Sequence, residues 1–167
     1  MKLYMKQKVF SIRDRFTIKD ESGEDRYYVE GKLISIGKKL QLFDMSGAEV
    51  AFIQQKVLSL LPKFHVYTNG KEIATIVKEL SLLRPKYRIE GPGWRVKGNF
   101  WEHDYEIMDK RGNPIVSVHK VWLSWGDSYE LNIARRDDEV RALATVLAID
   151  CVLDAEKASA SAATSSN

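Results

Sequence analysis

A chain of 167 residues with 44% hydrophobic and 29% charged residues is long enough to bury one substantial core and too apolar to be disordered. Its net charge of +3 lacks the strong basic excess of a nucleic-acid-binding chain, and its single cysteine excludes an internal disulfide. No signal-peptide run opens the chain, and no stretch reaches the roughly 20 apolar residues of a membrane-spanning helix, so a cytoplasmic protein is expected.

Residues 1–19 carry Lys2, Lys6, Lys8, Arg13, Arg15 and Lys19 against one acid, Asp14. That balance suits an edge strand, where lysines discourage aggregation, or the margin of a basic patch. Turn clusters then recur: Asp20-Glu21-Ser22-Gly23, Asp44-Met45-Ser46-Gly47, Thr68-Asn69-Gly70 and Asp109-Lys110-Arg111-Gly112. Each pairs a side-chain oxygen with a glycine, the chemistry of a tight hairpin.

Counted from Gly47, Gly70 and Gly112, apolar residues repeat at position three (Val50, Ile73, Ile115) and position six (Ile53, Ile76, Val118). Position seventeen holds Phe64, Tyr87 and Tyr129, and position nineteen holds Val66, Ile89 and Leu131. A fainter copy from Gly23 places Leu40 and Leu42 at the last two positions. Each period holds two strands, and roughly six periods give about twelve. An antiparallel sheet of that size closes into a barrel wider than its own inward side chains can fill.

The basic stretch around Gly91-Pro92-Gly93 is the candidate site. With that tripeptide as a turn, Arg84, Lys86 and Arg88 line one face of a strand, and Arg95 and Lys97 the same face of its neighbour. Like charges facing across a strand pair cost stability, so the cluster fits an anion held by charge-assisted hydrogen bonds. The alternative is a solvated outer face with acids scattered nearby. Trp94 and Trp122 are expected in the core, while Trp101 and Trp125 flank loops. His65, His103 and His119 lack metal-ligand spacing; no catalytic motif, metal site or cofactor site is expected.

Ala142 to Leu153 contains ten apolar residues in twelve, with no polar face. Apolar on every side means buried on every side, so a helix over about 138–156 is expected to fill the barrel. Asp137, Asp138 and Glu139 supply a capping oxygen and negative charge at its start. Asp150 interrupts the run and is expected to find a hydrogen-bond partner or the barrel mouth. Cys151 reads as a small core residue. Residues 1–156 form one domain, and 157–167 a disordered low-complexity tail.

Three sets of residues resemble the LURP-one-related family over about residues 3–154. They are Val9 to Ile18 with Tyr27-Tyr28-Val29-Glu30-Gly31; Gln55 to Ser59 with Pro62-Lys63-Phe64; and Tyr105 to Gly112 with Asp127 to Leu131 and Leu147 to Asp150. The resemblance implies the tubby C-terminal-like fold, a twelve-stranded barrel around a hydrophobic C-terminal helix. Structural relatives of that fold bind phosphoinositide headgroups or belong to the phospholipid scramblases, and no catalytic residue comes with the pattern. The expectation is a non-enzymatic module binding an anionic ligand such as a phospholipid headgroup, at the inner membrane face. The alternative is a protein-interaction barrel without a small ligand; nucleic acid ranks below both.

Overall fold

The structure is a computed structural model that describes residues 1–6, 15–33, 37–79, 86–100, 102–123 and 126–164. Twelve strands precede one helix: β1 (Lys2–Lys6), β2 (Phe16–Asp20), β3 (Asp25–Leu33), β4 (Lys38–Asp44), β5 (Glu49–Gln55) and β6 (Lys63–Thr68). There follow β7 (Lys71–Glu79), β8 (Lys86–Glu90), β9 (Arg95–Asn99), β10 (Asp104–Met108), β11 (Pro114–Leu123) and β12 (Gly126–Ile133). The helix α1 spans Glu139–Thr164.

All strands join one antiparallel sheet in the order β8-β7-β6-β5-β4-β3-β2-β1-β12-β11-β10-β9. The chain's start therefore closes against its end, with Lys2 opposite Asn132 and Lys6 opposite Ser128. Closure is not complete in the backbone. β8 and β9 are the sheet's two edges, adjacent across Gly91-Pro92-Gly93 but sharing no ladder. Side chains seal that seam, with the Tyr87 and Phe100 rings 4.8 Å apart, edge to face.

The repeated turns are the hairpins β2–β3, β4–β5, β6–β7 and β10–β11. In three of them an aspartate carboxylate accepts backbone hydrogen bonds across the turn: Asp20 from Ser22 N at 2.9 Å, Asp44 from Ser46 N at 2.9 Å, and Asp109 from Arg111 N at 2.8 Å. Side-chain hydrogen bonds from Ser22, Ser46 and Asn113, joined by the backbone ones, hold all three carboxyls below the usual carboxylate range.

The repeat's third position has a structural meaning that its apolar character alone conceals. Pairing slips by one residue in each hairpin, and the residue skipped is Arg26, Val50, Ile73 or Ile115, always three after the turn glycine. A bulge bends and twists its strand, and four at one level of the sheet curl it around the helix. Positions six, seventeen and nineteen all point inward and are buried.

These inward rows enclose α1, whose residues Leu143, Val146, Leu147, Ile149 and Val152 are wholly buried. A 3₁₀ turn, Arg136–Asp138, leads into it. Asp138 is bridged by Arg135 at 3.2 Å and Arg141 at 3.7 Å. Glu139 accepts the Tyr27 hydroxyl at 2.9 Å, which ties the helix start to β3. The helix continues to Thr164, so residues 157–164 are helical where a disordered tail is expected from sequence. Alanine holds the highest helix propensity, and Ala158, Ala160, Ala162 and Ala163 let a helix already nucleated in the barrel propagate.

Candidate functional site

Strand alternation fixes what lies at each end of the barrel. The Asx turns and the start of α1 share one end. The β5–β6 connection, the end of β7 and the last turns of α1 share the other, as shown by Lys78 and Tyr87 both meeting Glu156. At this exit end, two pairs of lysines face each other directly across the ladder. Lys32 opposes Lys39 on β3 and β4. Lys56 N donates to Lys63 O at 2.8 Å, carrying the β5–β6 pairing one step past Gln55 and Phe64.

All four lysines occupy outward positions, since their ladder neighbours Leu40, Ile53 and Phe64 are buried inward. Lys63 continues in register through Val77 to Arg88 on β8. Lys32, Lys39 and Lys56 make no ion pair among the described residues, while Lys63 reaches Glu90 at 3.9 Å. Lys39 lies 5.4 Å from the face of the Phe52 ring.

The basic residues singled out by sequence are distributed differently. Arg84 lies outside the described residues. Lys86 and Arg88 are exposed on β8, on the same outer face as Lys56 and Lys63. Arg88 is already paired, with Glu90 at 2.7 Å and Glu79 at 3.6 Å, and Lys86 stands opposite Glu79. Arg95 and Lys97 are exposed on β9, where Lys97 faces Glu106 and Arg95 faces Met108. They do not oppose the β8 residues across a strand pair, because β8 and β9 each end the sheet. The like-charge pairing inferred at that turn exists instead at Lys32–Lys39 and Lys56–Lys63. It joins residues whose opposition depends on register rather than on sequence neighbourhood.

Trp94 is buried, as expected, and its ring lies 5.4 Å from the Arg141 guanidinium. Trp122 is a correction: it is 78% exposed rather than in the core. Trp122 pairs with Asp127 near the end of the β11–β12 ladder, past Val118, the last β11 residue that pairs with β10, so β10 does not cover it. Trp101 and Trp125 lie outside the described residues.

Asp150 is buried, and its nearest partner is His103 Nδ1 at 3.4 Å, too long for a strong hydrogen bond. His103 is itself buried and stacks on Tyr129 with ring centroids 4.2 Å apart. No spacing signal links these two residues, which only the folded barrel brings together. Burial pushes the Asp150 carboxyl up, and the His103 and Lys157 charges offset this in part. A raised folded-state value means that Asp150 favours the fold while protonated, below its unfolded value near about 4, and that this contribution is lost as pH rises through the folded value. Asp150→Asn is accordingly expected to raise stability at pH 7 by about 1–3 kcal/mol and to lose that advantage near pH 4, as thermal melts at the two pH values will read.

A shallow groove of about 360 Å³ crosses the outer face of β5 and β6, lined by Glu49, Phe52, Gln54, Tyr67 and Asn69 among others. Glu49 is the only carboxylate in its lining. No described helix is long and apolar enough to cross a membrane.

Twelve antiparallel strands curled around the chain's own C-terminal helix define a tubby C-terminal-like barrel. A crystal structure of a protein from Arabidopsis thaliana shares this architecture, with a TM-score of 0.58 over 90% of each chain at 15% identity. The sequence matches the LURP-one-related family over residues 1–150, and the chain belongs to that family. An uncharacterised Bacillus subtilis (strain 168) protein, YxjI, is 39% identical over 153 residues, which cover 92% of this chain and 94% of that one.

Proposed function

We propose that this barrel is a non-enzymatic binding module for an anionic ligand, the phosphate-bearing headgroup of a phospholipid, and that it works at the inner face of a membrane. The observation that carries this reading is the pair of lysine oppositions, Lys32–Lys39 and Lys56–Lys63, on one outer face. Like charges directly opposite each other destabilise a sheet, and an anion between them relieves the repulsion while accepting charge-assisted hydrogen bonds. Lys86 extends the same face toward β8. Sites on neighbouring strands of a rigid sheet are also held in place without ordering a loop.

A lysine near an anionic surface contributes about 1 kcal/mol, so four give about 4 kcal/mol. Replacing Lys32, Lys39, Lys56 and Lys63 with glutamine is therefore expected to weaken binding to mixed phosphatidylcholine–phosphatidylserine vesicles by at least about a hundredfold. Co-sedimentation measures this, with a thermal melt to show the fold intact. Unchanged binding by a folded quadruple variant rejects the site. The competing reading, a protein-interaction barrel, draws on the β5–β6 groove and predicts no preference for anionic vesicles at all.

A further inference from the structure

The connection between β5 and β6 displays its apolar side chains to solvent. Leu58 is 93% exposed and Leu60 fully exposed, with Val57 at 45% beside them. Single exposed leucines are ordinary, but adjacent ones on a connection whose backbone is held in place form a patch. The holding contacts are specific. Lys56 N donates to Lys63 O at 2.8 Å at the base, and Lys78 N to Pro62 O at 3.2 Å at the side. Val57 lies against Gly37, where a Cβ would come within 2.7 Å of its Cγ2.

This apolar tip is framed by the lysines of the proposed anion site. Lys56 immediately precedes it and Lys63 closes it, with Lys39 one strand further round. An apolar projection set in a ring of lysines matches one surface in particular: hydrocarbon lying beneath a layer of negative headgroups. A water-filled protein groove offers no comparable layering of charge above an apolar interior.

Resting on the anionic-headgroup reading, we infer that the β5–β6 connection inserts Leu58 and Leu60 into the acyl boundary of an anionic bilayer while Lys39, Lys56 and Lys63 engage the headgroups. The barrel then approaches the membrane with its helix-exit rim, and the Asx-turn end faces away. Trp122 projects at the same end but from the other side of the barrel, and insertion does not require it.

The test labels the full chain with an environment-sensitive fluorophore at Leu60→Cys and, separately, at Met45→Cys in the β4–β5 turn of the opposite end. Cys151 is buried in the barrel and stays unlabelled. On adding mixed phosphatidylcholine–phosphatidylserine vesicles, the label at 60 brightens and shifts to the blue while the label at 45 does not change. Leu60→Asp lowers partitioning at least about tenfold with an unchanged melting temperature, since the residue is exposed. Vesicle binding with a silent label at 60 overturns insertion and leaves headgroup binding standing. Absence of binding to any anionic vesicle overturns both. A vesicle-free dimer, detected by light scattering and dissolved by Leu60→Asp, assigns the loop to self-association and likewise overturns insertion.

Discussion

Leu147→Asp is expected to yield no folded protein. Leu147 is wholly buried on α1, inside a ring of inward side chains from the sheet. Losing the leucine contacts costs about 2–5 kcal/mol, and an unpartnered carboxylate in that interior adds several more. The sum reaches the whole stability of an ordinary domain, about 5–15 kcal/mol. Ending the chain before Glu139 has the same outcome for a related reason. The inward rows then face a void too wide for them to close, and the sheet collapses or aggregates. Far-ultraviolet circular dichroism with thermal melting decides both cases. A soluble truncated chain with native strand content and a cooperative transition would show that the barrel does not need its helix.

Gly98→Val is expected to cost more than about 3 kcal/mol and to open the barrel at its seam. Gly98 on β9 pairs with Tyr105 on β10 in a backbone conformation that L side chains rarely adopt. A Cβ there would lie 2.5 Å from the Asp104 carbonyl oxygen and 2.6 Å from the Tyr105 Cα. Neither is the end of a flexible side chain, so relief requires β9 to leave its ladder. Because β9 is a sheet edge that shares no ladder with β8, the Tyr87–Phe100 contact that seals the seam goes with it. Gly23→Ala is the matched control. Gly23 shares a positive φ but has open space around the Cβ position, and it is expected to lose only about 1 kcal/mol. Denaturant midpoints compare the two; equal losses would show that strain, and not the close approach, governs Gly98.

What sequence revealed and what it concealed divide along local and non-local physics. The hairpins were legible because an aspartate or asparagine beside a glycine encodes its turn within four residues, and because strands alternate with a period of two. The enclosed helix was legible because a run with no polar face has nowhere to go but inside. The bulges were visible only as an aligned position, since nothing in Val50 or Ile73 distinguishes a skipped residue from a paired one.

Gly91-Pro92-Gly93 has the composition of a hairpin turn, yet it links two strands that do not pair, because each satisfies its backbone on its other side only. The lysine pairs depend on the registers of β3 against β4 and of β5 against β6. The basic residues that neighbour one another in the sequence, Lys86, Arg88, Arg95 and Lys97, lie on β8 and β9, where Arg88 pairs with Glu79 and Glu90. The same limit hid His103 from Asp150, and Trp122, in the same row as Val118, is exposed because β10 pairs no further than Val118.

Lys32, Lys39, Lys56 and Lys63 are the proposed anion-binding face. Its most direct test is the salt dependence of binding to phosphatidylcholine–phosphatidylserine vesicles, measured for the native chain and the four-glutamine variant side by side. Exposed charges are screened within a Debye length of about 8 Å at physiological ionic strength. Binding by the native chain is expected to weaken steeply with salt, and binding by the folded variant to depend on it markedly less. Equal slopes for the two proteins would contradict that assignment.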